Sequence, residues 1–205
     1  MEDVLDLYAQ PYEPRRPVVW FAERPCQLLM DVREPLPMQP GRPRRADNEY
    51  KRQGSCNRFL RFQPLAAWRK AVVTARRTSE EFAYQMKALV DAFFPQAEVI
   101  RVGLDKLNIH TPAALDQAFP AQQARRITRQ LELHYTPKHG RWLHMVESEC
   151  SILVRQCLNR RLPDIERMRR EVEAWEKERN DAKATVAWRF TTADARTKLQ
   201  RLYPK

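Results

Sequence analysis

The apolar residues of this chain change their spacing along its length, and that alternation constrains the fold more than any single residue does. Val18, Val19, Trp20 and Phe21 form a compact apolar run bounded by prolines, as a buried strand does. Residues 56–63 and 66–74 read as a hairpin turning near Pro64 and Leu65. Its first strand is untidy: Arg58 falls on the face of Leu60 and Phe62 if side chains alternate. Thr78, with Glu81 three residues on, has the spacing of a capping box, and Phe82, Met86, Leu89, Val90 and Phe93 form the apolar stripe of the helix it opens. A short strand over 99–104 follows, then two short helices over 112–119 and 121–130 and a strand over 131–135. The pattern is helical again over 142–159, with Leu143, Val146, Cys150, Val154 and Cys157 inward. Pro163 and Asp164 open a long helix to about residue 180, with Ile165, Met168, Val172 and Trp175 inward, and 192–202 predicts a last short helix. Strand, hairpin, helix, strand, helices, strand, helices is the order of an α/β sheet with both hairpin and crossover connections.

The 205 residues suit one domain over 18–205 behind an arm or linker over 1–17. Pro35, Pro37, Pro40 and Pro43 with Gly41 make 31–47 an extended loop, and Arg42, Arg44 and Arg45 make it basic. Arginine pairs recur at 76–77, 125–126 and 160–161, and 37 Lys and Arg against 26 Asp and Glu leave a net charge of +11. Clustered cations on a basic chain suit nucleic-acid phosphates, whose neutralisation releases counterions. Only four glycines are present, in neither a dinucleotide nor a P-loop pattern, which disfavours both chemistries. No apolar run spans a bilayer and no leader pattern opens the chain, so a soluble, intracellular protein is expected, with no membrane partner. Cys26, Cys56, Cys150 and Cys157 lack Cys-x-x-Cys spacing and are expected to be reduced, structural thiols.

Three places set a polar group at the end of an apolar element. Phe21-Ala22-Glu23 closes the opening strand, and Leu104-Asp105-Lys106-Leu107-Asn108-Ile109-His110 puts Asp105 at a strand's carboxyl end, where ligand chemistry gathers in α/β sheets. Tyr135-Thr136-Pro137-Lys138-His139-Gly140-Arg141-Trp142-Leu143-His144-Met145-Val146-Glu147 runs from a strand through a basic loop into a helix. Taken alone, Asp105 would be a turn residue, Glu147 a solvated helix residue, Lys138 and His139 a basic loop, and Trp142 a core residue. No second histidine stands at helical spacing from His144, so a zinc site is weak.

Together these segments resemble the mariner-like bacterial insertion-sequence transposases of the six-thirty family, within the DDE endonuclease superfamily, over nearly the whole chain. The family signature is Phe-Asp-Glu, then Leu-Asp-Asn with a histidine shortly after, then Tyr-x-Pro, a basic loop and Trp-Leu-Asn-x-x-Glu. The resemblance implies a ribonuclease-H-like mixed sheet with flanking helices, Mg²⁺ as cofactor, duplex DNA as partner (element ends and target), and strand cleavage and transfer as the activity. It places the second and third acids at Asp105 and Glu147, 42 residues apart. Such acids act by holding two hard cations, one at the attacking and one at the leaving oxygen of an in-line displacement. Arg42, Arg44, Arg45, Lys138, His139 and Arg141 are the expected phosphate contacts.

Three departures weigh on that expectation. The first acid is Ala22, whose methyl cannot coordinate, and Glu23 beside it should face the other side of the strand. Lys106 stands where an asparagine is expected and would repel cations if it points inward, and His144 replaces another asparagine. The chain is therefore expected to be inactive as written: a decayed remnant, a trapping substitution, or a non-catalytic DNA-binding or assembly module. The helix-turn-helix region of the family is expected to be missing. A cytoplasmic, nucleoid-associated bacterial protein is implied, with homodimers or mixed assembly with an intact transposase as further partners.

Overall fold

In the computed structural model, which describes residues 1–138 and 140–203, helix α1 (Glu2–Ala9) precedes strands β1 (Val18–Asp31), β2 (Tyr50–Gln63) and β3 (Trp68–Thr74). Then come α2 (Ser79–Ala88), β4 (Ile100–Leu104), α3 (Ala113–Ala118), α4 (Ala121–Arg129), β5 (Leu131–Tyr135), α5 (Val146–Leu153), α6 (Ile165–Asp181) and α7 (Thr192–Lys198). The five strands form one mixed sheet in the order β3-β2-β1-β4-β5. β1, β2 and β3 are antiparallel meanders, while β1, β4 and β5 run parallel through crossover helices. Among the described residues no helix is long and apolar enough to cross a membrane.

Strand parity divides the core. Val18, Trp20 and Ala22 join Leu60 and Phe62 on one face, under residues from α1, α5, α6 and α7. Val19, Phe21, Phe59, Ile100, Val102 and Leu104 line the other, under α2, α3 and α4. Local signals start the long helices: Thr78 accepts from Glu81 N at 3.2 Å and Asp164 from Arg167 N at 2.7 Å. On α1, Tyr8 stacks between Trp20 and Trp188 at 4.2 and 4.4 Å, and its hydroxyl donates to Leu143 O at 2.6 Å.

Three local expectations are corrected, and the loop over 31–47 gains a place. β1 does not stop at Glu23 but runs on to Asp31, because β4 pairs with it only as far as Phe21 and the missing amide of Pro25 costs little on the edge beyond. Residues 31–47 are accordingly the tip of a β1–β2 hairpin, whose base Arg161 ties with bonds to Asp31 Oδ1 (2.6 Å) and Glu49 O (2.8 Å). The expected continuous helix from Trp142 is a tight turn over Arg141–Leu143 that buries Leu143 and leaves Trp142 50 % exposed, edge-on to Phe190 at 5.5 Å. After Leu153 the helix widens by one residue per turn over Val154–Leu158, which shifts the stripe's phase and turns Val154 outward.

Trp20 and Gly103 are register partners, and the indole lies where a Gly103 side chain would be: an added β-carbon would meet the ring at 2.3 Å. Neither the sheet backbone nor a fully buried indole can yield, so Gly103→Ala is expected to destabilise the fold by about 3 kcal/mol. A urea midpoint unchanged from wild type would show that the indole has another place to go.

Candidate active site

Register brings the ends of β1 and β4 together. Val18 pairs with Arg101 and Phe21 with Leu104, so one step further Ala22 and Asp105 lie beside each other at the carboxyl ends of adjacent parallel strands. His144 is a strut under this point. It is fully buried, its Nε2 donates to Gly103 O at 3.3 Å, and burial lowers its pKa toward the neutral form.

Glu147 stands in the first turn of α5 with its carboxylate held from two sides. Arg24 Nε donates to Oε2 at 3.0 Å, with Nη2 on the same oxygen, and Arg141 Nη2 donates to Oε1 at 2.9 Å. Arg24 follows Ala22 by two residues and so shares its face. The hydrogen bond that Arg24 donates to Glu147 raises the Arg24 pKa, with a weaker contribution from Asp105 in the same direction. Asp105 and Glu147 both favour the charged form of His144, against the larger effect of its burial.

Asp105 faces His110. A turn closed by Leu107 N→Asp105 O (3.0 Å) and His110 N→Leu107 O (3.0 Å) folds the imidazole back, and Tyr135 OH pins the His110 carbonyl at 2.7 Å. His110 Nδ1 donates to Asp105 O at 3.0 Å and lies 3.0 Å from Oδ1, while Nε2 is 3.5 Å from Glu23 Oε2. Glu23 Oε1 takes Arg77 Nε. Burial pulls the His110 pKa down, but the carboxylates of Asp105 and Glu23 outweigh it and lift it to about 9. Burial raises Asp105, and the bond from His110 brings it below the usual carboxylate range. The imidazolium, stacked on Phe82 at 4.8 Å, thus bridges two carboxylates from the face opposite Ala22.

Residues 17–169 match the DDE superfamily endonucleases. The chain belongs to that family. Two solved structures share its fold: a Mos1 strand transfer complex (TM-score 0.52, 12% identity, covering 86% of this chain and 53% of that one) and a Mos1 mariner paired end complex with Mn (TM-score 0.52, 13% identity, 89% and 56%). The fold is the ribonuclease-H-like mixed sheet of a transposase catalytic domain, and the chain spans about half the length of those solved chains. None of the curated proteins matches the sequence.

In this DDE superfamily domain the residues do not fit the metal that the family resemblance implies. Ala22 supplies no ligand, both oxygens of Glu147 are on arginines, and Asp105 Oδ1 lies 3.0 Å from His110 Nδ1. Among the described residues no three His, Cys, Asp or Glu side chains converge as a metal site. Glu23 lies on the opposite face, as parity requires, and is bound there by Arg77 and His110. Lys106 is exposed rather than turned inward.

The expected phosphate contacts divide. Arg42, Arg44 and Arg45 are exposed at the hairpin tip, and none has an acid within 4.0 Å among the described residues. Lys138 is exposed, Arg141 is exposed but tied to Glu147, and His139 lies outside the described residues. Arg24 is the residue that sequence reasoning passed over. Its only signal was parity with Ala22; its contact with Glu147 depends on α5 docking across the end of β1.

Proposed function

We propose that this chain is the catalytic domain of a bacterial mariner-like transposase that binds duplex DNA without cutting it. The observation that carries the reading is the Arg24–Glu147–Arg141 clamp beside Ala22: two guanidiniums occupy the third acid where the first acid is missing. A guanidinium on each oxygen neutralises the carboxylate that a cation would need, and arginine cannot be deprotonated to release it. The net charge of +11 and the unpaired arginines at the hairpin tip support retained affinity for phosphate.

The test is duplex binding by fluorescence anisotropy across a salt series, with nicking of supercoiled DNA followed in Mg²⁺ or Mn²⁺. Expected are weak, sequence-independent binding that falls with salt, and no nicking. Changing Arg44 and Arg45 together to Ala should flatten the log–log salt slope by about 0.9 for each phosphate that the chain no longer neutralises. Binding that is flat in salt would sink the DNA reading, and nicking abolished by Asp105→Ala would sink the inactive one.

A further inference from the structure

Arg24 and Arg58 are register partners directly across β1 and β2. Like charges directly opposite in an antiparallel pair repel, and nothing acidic separates these two on the strands. Arg58 carries the larger liability. It is 8 % exposed, its Nε and Nη1 are shut off from solvent without a hydrogen-bond partner, and no acid lies within 4.0 Å of it among the described residues. A buried guanidinium without a counter-charge is among the most destabilising arrangements a fold can hold.

The two arginines open on one cleft of about 320 Å³ between the β1–β2 ladder and the end of α5. Arg155, exposed on the wide turn that continues α5 and without an acidic partner among the described residues, lines its other wall. Three arginines and no carboxylate line this cleft among the described residues, with Arg24 held from outside it by Glu147, and such a lining is complementary to a tetrahedral oxyanion rather than to a cation.

We propose that the Arg24–Arg58–Arg155 cleft is a phosphate-binding site that seats one phosphodiester of a DNA backbone beside the former metal centre. The identity of the phosphate rests on the DNA-binding reading above; the site itself does not. The buried charge on Arg58 is retained because the ligand supplies its counter-ion.

The full chain is tested with two probes, inorganic phosphate and a short labelled duplex. Phosphate, added against chloride at equal ionic strength, is expected to raise the thermal midpoint of the wild type. Arg58→Met should melt higher than wild type in phosphate-free buffer, since it removes the buried charge, and should no longer respond to phosphate. Arg155→Gln, a surface change that leaves the core alone, should weaken phosphate binding about tenfold. Glu147→Gln should tighten it by freeing Arg24, the opposite of what loss of a cation ligand would do.

With the duplex, Arg58→Met should lower the salt slope by about 0.9, and adding Arg155→Gln should lower it no further, because both residues hold the same phosphate. A wild type indifferent to phosphate, with duplex binding unchanged by Arg58→Met and Arg155→Gln, overturns the site while leaving the DNA reading standing. Phosphate binding that disappears in these variants, in a chain that does not bind the duplex, upholds the site and overturns the DNA reading.

Discussion

Glu149→Gln is expected to remove about 3–5 kcal/mol of stability, a large part of the whole for a domain whose total is typically about 5–15 kcal/mol. Glu149 on α5 and Arg69 on β3 are both fully buried, with Arg69 Nε 2.8 Å from Oε1. Arg179 on α6 adds two bonds to the same carboxylate, at 2.8 and 3.1 Å. Asn180 closes the frame: its Oδ1 accepts from Arg69 N at 3.0 Å and from Nη1 at 3.1 Å, and its Nδ2 donates to Arg69 O at 2.9 Å. Sheet, α5 and α6 are thus joined by a polar network where most domains would use apolar packing. Gln keeps the shape but leaves two guanidiniums, the fully buried Arg69 and the mostly buried Arg179, without the carboxylate they share. Chemical denaturation should show the loss as a lower midpoint at unchanged slope. The paired change of Glu149 and Arg69 to Met should be less damaging than Glu149→Gln alone, since it removes the two fully buried charges and leaves only Arg179, which reaches solvent. A loss below about 1 kcal/mol for Glu149→Gln would mean that water reaches the pair and that the network is worth no more than a surface bridge.

What the sequence made legible followed from how local each signal was. β5 over Leu131–Tyr135, the cap at Thr78 and the helix start at Asp164 depend on nearby residues, and the structure has them where the pattern predicts; of the capping box only the bond from Glu81 N to Thr78 forms. Glu23, Arg24 and Pro25 end a buried strand by every local rule; only the register shows that pairing with β4 stops at Phe21 while pairing with β2 carries β1 on to Asp31 as an edge. The helical stripe broke down at Val154, where an inserted residue rotates everything beyond it. Cys26 and Cys56, remote in sequence, are direct partners across the β1–β2 ladder.

The candidate site divides in the same way. Asp105 and Glu147 rest on family motifs, and the pairing of Phe21 with Leu104, carried one step on, sets Ala22 next to Asp105. The arginines were not found, because long side chains meet their partners over distances that no spacing rule covers. Arg58 was the exception. A charge on the face of Leu60 and Phe62 contradicted the alternation around it, and the contradiction lay at a cleft rather than in a misread strand.

Restoring the first acid tests how much of the site has changed. Ala22→Asp alone is expected to give no metal-dependent nicking, because the new carboxylate shares a face with Arg24 and would pair with it. Lys106, which is exposed, is a smaller obstacle than the sequence implied, and His144 holds Gly103 O at 3.3 Å and is best left in place. The change that matters is therefore Ala22→Asp with Arg24→Gln, which adds one carboxylate and frees Oε2 of Glu147 while Arg141 stays on Oε1. A unit charge about 4 Å from a cation near a protein surface is worth about 4 kcal/mol before desolvation is counted. Even after a large discount for desolvation, the double variant should bind Mn²⁺ about a hundredfold more tightly than the wild type by calorimetry. Nicking of supercoiled duplex should follow only in that background, and Asp105→Ala should abolish it. If Ala22→Asp alone binds Mn²⁺ as tightly as the double variant, Arg24 is not the obstacle, and the clamp on Glu147 opens whenever a cation is offered. If the double variant binds Mn²⁺ without nicking, cation binding has been restored but not activity, and the remaining deficit lies in how the chain positions DNA.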